Sequence, residues 1–153
     1  MKPYQCLDPF DWQAILTLIQ TEFAFMEGRI DPPSSMHRLT LGTISDHAQT
    51  GEIWAMGPTP IACVFLTPKP DVLYVGKLAV AASHRRHGLA RILIELAATR
   101  ARAMQLPMLE LQARIELVEN QAAFRALGFV EAGRTAHPGY DRPTSITFRR
   151  LVD

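Results

Sequence analysis

Apolar residues recur along this chain with two different periods, and the alternation between them outlines the fold. Trp12, Ile15, Leu16, Ile19 and Phe23 fall at helical spacing and predict an amphipathic helix running to about Phe25. Asp8-Pro9 ahead of it reads as an N-cap followed by proline in the first turn. The short run Pro3–Leu7 before that cap suits an edge strand. A weaker helical stretch spans Leu41–Gln49, with Thr40 as its cap and Gly51 as its stop. Runs rich in β-branched and aromatic residues then take over at Glu52–Met56, Ile61–Thr67 and Val72–Val80. The turn segments GPTP and PKPD separate them, which predicts an antiparallel meander.

Helical spacing returns after residue 88, where Leu89, Ile92, Leu93, Leu96 and Ala97 form a predicted buried stripe on a helix reaching about Met104. Pro107 separates it from a strand at Met108–Ala113. Glu119-Asn120 reads as the cap of a short helix that closes at Gly128, where glycine accepts the left-handed backbone that ends helices. Phe129–Arg134 and Thr144–Arg150 are the last predicted strands, joined by the loop AHPGYDRP. The order is strand, two helices, three strands, helix, strand, helix, two strands. That predicts one mixed α+β domain around a mostly antiparallel central sheet, with no internal repeat.

Composition narrows the chemistry. The 153 residues suit one domain, and 48% are apolar, enough for a sizeable core. A formal net charge of +1 argues against a general polyanion-binding surface, so nucleic acid is not an expected partner. No apolar stretch approaches the roughly 20 residues needed to cross a bilayer, so no membrane partner is expected. The N-terminus lacks the apolar run of a secretory signal. Two cysteines, Cys6 and Cys63, form neither a disulfide framework nor a CxxC pair, and Cys63 within IACVFL reads as a core side chain. A cytoplasmic location is the expectation. The five histidines show no metal-ligand spacing, and no metal is expected.

Positive charge is concentrated at one junction. His84-Arg85-Arg86-His87-Gly88-Leu89-Ala90 sits between the strand DVLYVGKLAV and the apolar helix that follows. A helix start offers unpartnered N–H groups and a positive dipole end, and glycine lets a ligand approach the main chain. The segment has the chemistry of an anion cradle, although a solvated basic turn is the plain alternative. No Walker phosphate loop or dinucleotide fingerprint is present.

Arg85-x-x-Gly88-x-Ala90 resembles the [Q/R]-x-x-G-x-[G/A] signature of the GNAT superfamily of acyl-CoA-dependent N-acetyltransferases. Leu78-Ala79-Val80 resembles the end of that family's fourth strand, and Asn120 with FRALGF resembles its N…Y-x-x-L-G-F segment. The resemblance implies a GNAT-like mixed sheet of about seven strands flanked by about four helices. It implies acetyl-CoA as co-substrate, its pyrophosphate held by Arg85, Arg86, His87, Gly88, Leu89 and Ala90. The pantetheine arm is expected along Leu78, Ala79 and Val80, near Asn120 and Phe124, with the Val80 N–H facing the thioester oxygen. Asn120 has helix capping as its alternative role.

The implied activity is transfer of an acetyl group to a primary amine of a small molecule or peptide by direct attack. A non-catalytic acyl-CoA sensor is the competing reading. Many family members protonate the departing sulfur with a tyrosine where this chain has Phe124, so that role does not carry over. Tyr140 is a substitute candidate. Glu22, His37, Glu110 and His137 are candidate bases, Glu22 only if its helix faces the cleft. The acceptor is expected between Glu27–Arg38 and Ala136–Arg142, with Glu22, Arg29, Asp31, Ser34, Ser35, His37, His137, Tyr140 and Arg142 available to recognise it. Family members often form homodimers.

Overall fold

A computed structural model describes residues 1–152. Its elements are β1 (Tyr4–Gln5), α1 (Trp12–Phe23), α2 (Leu41–Thr50), β2 (Glu52–Met56), β3 (Ala62–Pro68), β4 (Val72–Val80), α3 (Leu89–Ala103), β5 (Met108–Arg114), α4 (Val118–Ala126), β6 (Val130–Thr135) and β7 (Ser145–Leu151). The strands form one sheet in the order β1-β2-β3-β4-β5-β7-β6. Every neighbouring pair is antiparallel except β4 and β5, whose parallel pairing follows from the α3 crossover between them.

The sheet separates two cores. On one face α3 buries Leu89, Leu93, Ile94, Ala97, Ala98 and Ala101 against Val64, Leu66, Leu73, Val75, Leu109, Leu111 and Phe148. On the other, Ile15 and Ile19 of α1 and Ile44 of α2 pack with Ile53, Cys63, Phe65 and Ala79. Cys63 is fully buried, as its apolar surroundings in sequence suggest, and burial pushes its thiol well above the ordinary range. Ile92 departs from the predicted stripe. It is exposed, and Ile94 takes the buried position because α3 presents the face one residue pair further round.

Two caps also differ from the sequence reading. The N-cap of α1 is Asp11, which accepts from the Ala14 N–H at 3.4 Å. Asp8 instead fastens α1 to α2, accepting from Trp12 Nε1 at 2.6 Å and from Ser45 Oγ at 2.9 Å. The N-cap of α4 is Leu117, without a side-chain cap, so Asn120 lies inside the first turn rather than capping it. Thr40 does cap α2 as expected, in a reciprocal capping box with Thr43.

One irregularity positions everything that follows. Cys63–Phe65 of β3 stands opposite Gly76–Ala79 of β4, so β4 carries an extra residue there, and Lys77 has a φ of +49°. Such a bulge bends its strand and adds twist. Beyond it β4 and β5 part. They pair only over Val72–Tyr74 and Met108–Glu110, although β4 continues to Val80 and β5 to Arg114.

Candidate active site

The parted strands leave a cleft of about 790 Å³ through the middle of the sheet. Its walls are Tyr74–Leu78 of β4 and Leu111–Arg114 of β5. Because it lies between two strands, it reaches both faces. Asn120 and Phe124 of α4 line it toward the α3 side, where Leu78, Leu111 and Ala113 belong to the core. Toward the α1 side it is lined by Pro32–Ser35, His37, Arg38 and His137.

The Phe124 ring is fixed by Phe129 and Phe148, each with a centroid separation of 6.3 Å, so it offers a rigid apolar wall. Among the described residues, no protein group hydrogen-bonds the Asn120 side chain, which leaves its amide free for a ligand. The Ala81 N–H donates to Ile61 at 2.7 Å, across to the β3 side. Strand amides alternate in direction, so the neighbouring Val80 N–H points to the opposite edge, where β5 has left.

Past the end of β4, Gly88 caps α3 with φ +76°, a left-handed conformation that glycine takes without strain. A Cβ built there meets nothing within 4 Å. Among the described residues, none accepts a hydrogen bond from the main-chain N–H of Arg86, His87, Gly88, Leu89, Ala90 or Arg91. Six successive unpaired donors over open space, at the positive end of a helix, make a cradle for an anion. The geometry fits a phosphate group. Arg85 does not point there freely. Its guanidinium pairs with Glu22 at 2.8 Å.

That pair corrects the expectation for Glu22, which is held at the cradle and does not line the cleft. Glu110 is also displaced from the role of base. Its buried carboxylate accepts from Arg149 Nε at 2.9 Å, where β4 and β5 are still paired, and it lies outside the cleft lining. Tyr140 is outside the lining as well, its hydroxyl donating to Asp31. This bond, and burial to a lesser degree, raise its pKa. Arg29 pairs with Glu119 at 2.8 Å and ties the first loop to α4, away from the lining. Arg142 stacks over Tyr140 and lies 3.5 Å from Asp31. These loop residues hold the two loops together.

His37 and His137 do reach the cleft. His37 contacts Glu27 through Nε2. The His137 ring is held by Thr144 through Nδ1, and its main-chain N–H donates to the same hydroxyl at 2.9 Å. Partial burial, then the nearby Arg114 and Arg38, lower its pKa and so favour the neutral ring.

Sequence reasoning missed three lining residues that carry charge: Arg38, Lys77 and Arg114. Lys77 Nζ donates to Ser35, and burial, Arg38 and Arg114 all lower its pKa. Arg114 donates to the carbonyls of Pro32 and Pro33, at 2.6 and 2.9 Å. A lone lysine inside the apolar run VLYVGKLAV was the available signal.

The family model for the acetyltransferase (GNAT) family matches residues 12–129. The chain belongs to the GNAT acetyltransferase family. Solved structures agree at the level of fold. An acetyltransferase from Streptococcus agalactiae 2603 superposes with a TM-score of 0.76 at 17% identity, covering 98% of this chain and 97% of that one. The ribosomal-protein-S18-alanine N-acetyltransferase of Escherichia coli gives 0.70 at 19% identity, over 98% and 94%. The NatC complex bound to Gag peptide and CoA gives 0.64 at 18%, over 99% of both chains. A comparison with curated proteins finds none matching the sequence. Among the described residues no helix is long and apolar enough to cross a membrane, and no group of three metal-ligating side chains is gathered.

Proposed function

We propose that this GNAT acetyltransferase uses acetyl-CoA as donor and transfers the acetyl group directly to a primary amine of a small molecule or peptide. The observation that carries this reading is the continuity of two features. A row of unpaired amides at the start of α3 adjoins a strand whose open edge leads into the cleft. Residues 86–91 would hold the pyrophosphate by main-chain donors, and Arg86 and His87 would add charge. The free edge of Leu78–Val80 would pair with the amides of the pantetheine arm, as a strand pairs with a neighbour. Asn120 and Phe124 would border that arm from α4. Bound acetyl-CoA supplies the thioester.

The remaining chemistry falls to side chains and main chain already in place. The Val80 N–H is directed to the oxygen on which charge develops, a contribution of about 3–4 kcal/mol when such a donor is well placed. His137, neutral and anchored by Thr144, accepts the proton lost by the amine. The amine nitrogen bonds to the acetyl carbon, the carbon–sulfur bond breaks, and its electron pair leaves with sulfur. A thiol with a pKa of about 8.5 is a fair leaving group, so solvent suffices to protonate it where Phe124 has no proton to give.

Incubation with acetyl-CoA and a panel of amines tests this. CoA release should be matched one-for-one by acetylated amine. His137→Gln should lower kcat/KM by about 10²-fold or more. CoA binding without transfer to any amine would instead favour a regulatory acyl-CoA-binding domain.

A further inference from the structure

The α1-side mouth of the cleft is cationic. Arg38, Lys77 and Arg114 line it together with His37 and His137, and among the described residues no aspartate or glutamate lines it. The three basic side chains come from separate elements: Arg38 from the short turn Ser35–Arg38, Lys77 from the bulge of β4, and Arg114 from the end of β5. They are close enough that Arg38 and Arg114 each disfavour the charge on Lys77. Like charges gathered at a half-buried mouth are costly unless something negative offsets them.

The protein offsets only part of this. Arg114 has Glu116 and Asp31 near it, and its guanidinium is already spent on the carbonyls of Pro32 and Pro33. Glu27 is occupied by His37. Among the described residues, no carboxylate lies within ion-pair distance of Arg38 or Lys77. Arg38 is exposed, and among the described residues its side chain has no hydrogen-bond partner. Its planar fork is therefore free to bind a planar oxyanion with two parallel bonds. An incoming anion would also favour the charged form of Lys77 and add a second contact.

We propose that the acceptor is a small amine carrying an oxyanion, a carboxylate or a phosphate, and that Arg38 with Lys77 binds that group while the amine faces His137 and the thioester. This rests on the donor reading above. It places the anion on the face opposite α3, apart from the cradle assigned to the pyrophosphate. It predicts discrimination against polyamines, whose extra positive charge would be repelled.

Matched pairs test the proposal: glycine, L-leucine and L-glutamate, each against its own carboxamide, and phosphoethanolamine against ethanolamine, with spermidine as the cationic control. The amide's amine is the less basic, so preference for the carboxylate runs against amine reactivity. The expected result is a kcat/KM ratio of about tenfold or more in favour of at least one anionic member, as charge-assisted contacts give. Arg38→Gln, at an exposed position, should bring that ratio to about one by raising KM. Which pair shows the preference tells carboxylate from phosphate. Equal use of both members throughout, or preference for spermidine, would overturn the proposal.

Binding of N-acetyl-L-leucine and N-acetyl-L-glutamate, against their carboxamides, to the CoA-loaded protein separates the two readings. If no amine is acetylated but the anionic ligands bind at least about tenfold tighter in the wild type and not in Arg38→Gln, the anion site stands and the transferase reading falls. If neither turnover nor binding discriminates, the anion site falls.

Discussion

Phe124 occupies the position where a hydroxyl would have been chemically useful, and its surroundings explain why its absence is tolerable. The ring packs against Phe129 and Phe148 and also lines the cleft, whose open space can take up an added oxygen. Phe124→Tyr is therefore expected to fold normally and to retain or exceed wild-type kcat, read as CoA release at saturating acetyl-CoA and amine. A loss of tenfold or more would show that the ring's apolar edge itself seats the donor.

At this scale the sequence was uneven as a guide. Gly88, Asn120 and Phe124 stand out through their resemblance to GNAT motif positions, and the fold sets Gly88 at the start of α3 and Asn120 and Phe124 along the cleft. Glu110, Glu22 and Tyr140 misled because a carboxylate or phenol in a suitable segment says nothing about its partner. Each is engaged by a residue distant in the chain: Arg149, Arg85 and Asp31. Lys77 and Arg38 stayed hidden for the converse reason, since only the folded chain shows that neither has an ion-paired carboxylate among the described residues.

Between elements, the decisive feature is the bulge of β4, and periodicity does not reveal it. An alternating pattern predicts Val72–Val80 as a strand, which it is, but an extra residue at Gly76–Ala79 changes only the register. The edges of helices were likewise blurred. Asp8 is the cap that the sequence predicts for α1, but bonds from Trp12 and Ser45 claim it, and Asp11 caps the helix instead. Packing between α2 and the sheet is more exacting. A Cβ at Gly51 would lie 2.4 Å from the Leu66 carbonyl oxygen, and the neighbouring His47 ring hydrogen-bonds the same oxygen. Gly51 thus serves as more than a helix stop. Gly51→Ala should destabilise the protein by about 1–3 kcal/mol, because backbone rather than a flexible side chain must yield. Urea unfolding at neutral pH measures it, and an unchanged midpoint would contradict this packing.

For the whole molecule, one parallel strand pair in an otherwise antiparallel sheet produces both halves of the site. The crossover through α3 sets β5 beside β4 and simultaneously brings the start of α3 to the end of β4. Because the pair parts after Tyr74 and Glu110, the same cleft is lined by α4 on one side and by the loops on the other, which under the proposed function would give donor and acceptor separate approaches. The order of elements was legible across nearly the whole chain, which is why the architecture followed from the sequence. The depth of the split and the charge around it were not, since both depend on register and on contacts between distant loops.

Calorimetric titration of CoA into the wild type and into Gly88→Glu asks whether the amides at the start of α3 hold the donor. Any L-residue at Gly88 costs about 1–2 kcal/mol in its left-handed conformation, but space around it is open, so the variant should remain folded by circular dichroism. Saturable single-site binding is expected for the wild type and none for the variant, whose carboxylate would enter the cradle of amides. Equal CoA affinity in a folded Gly88→Glu protein would contradict it.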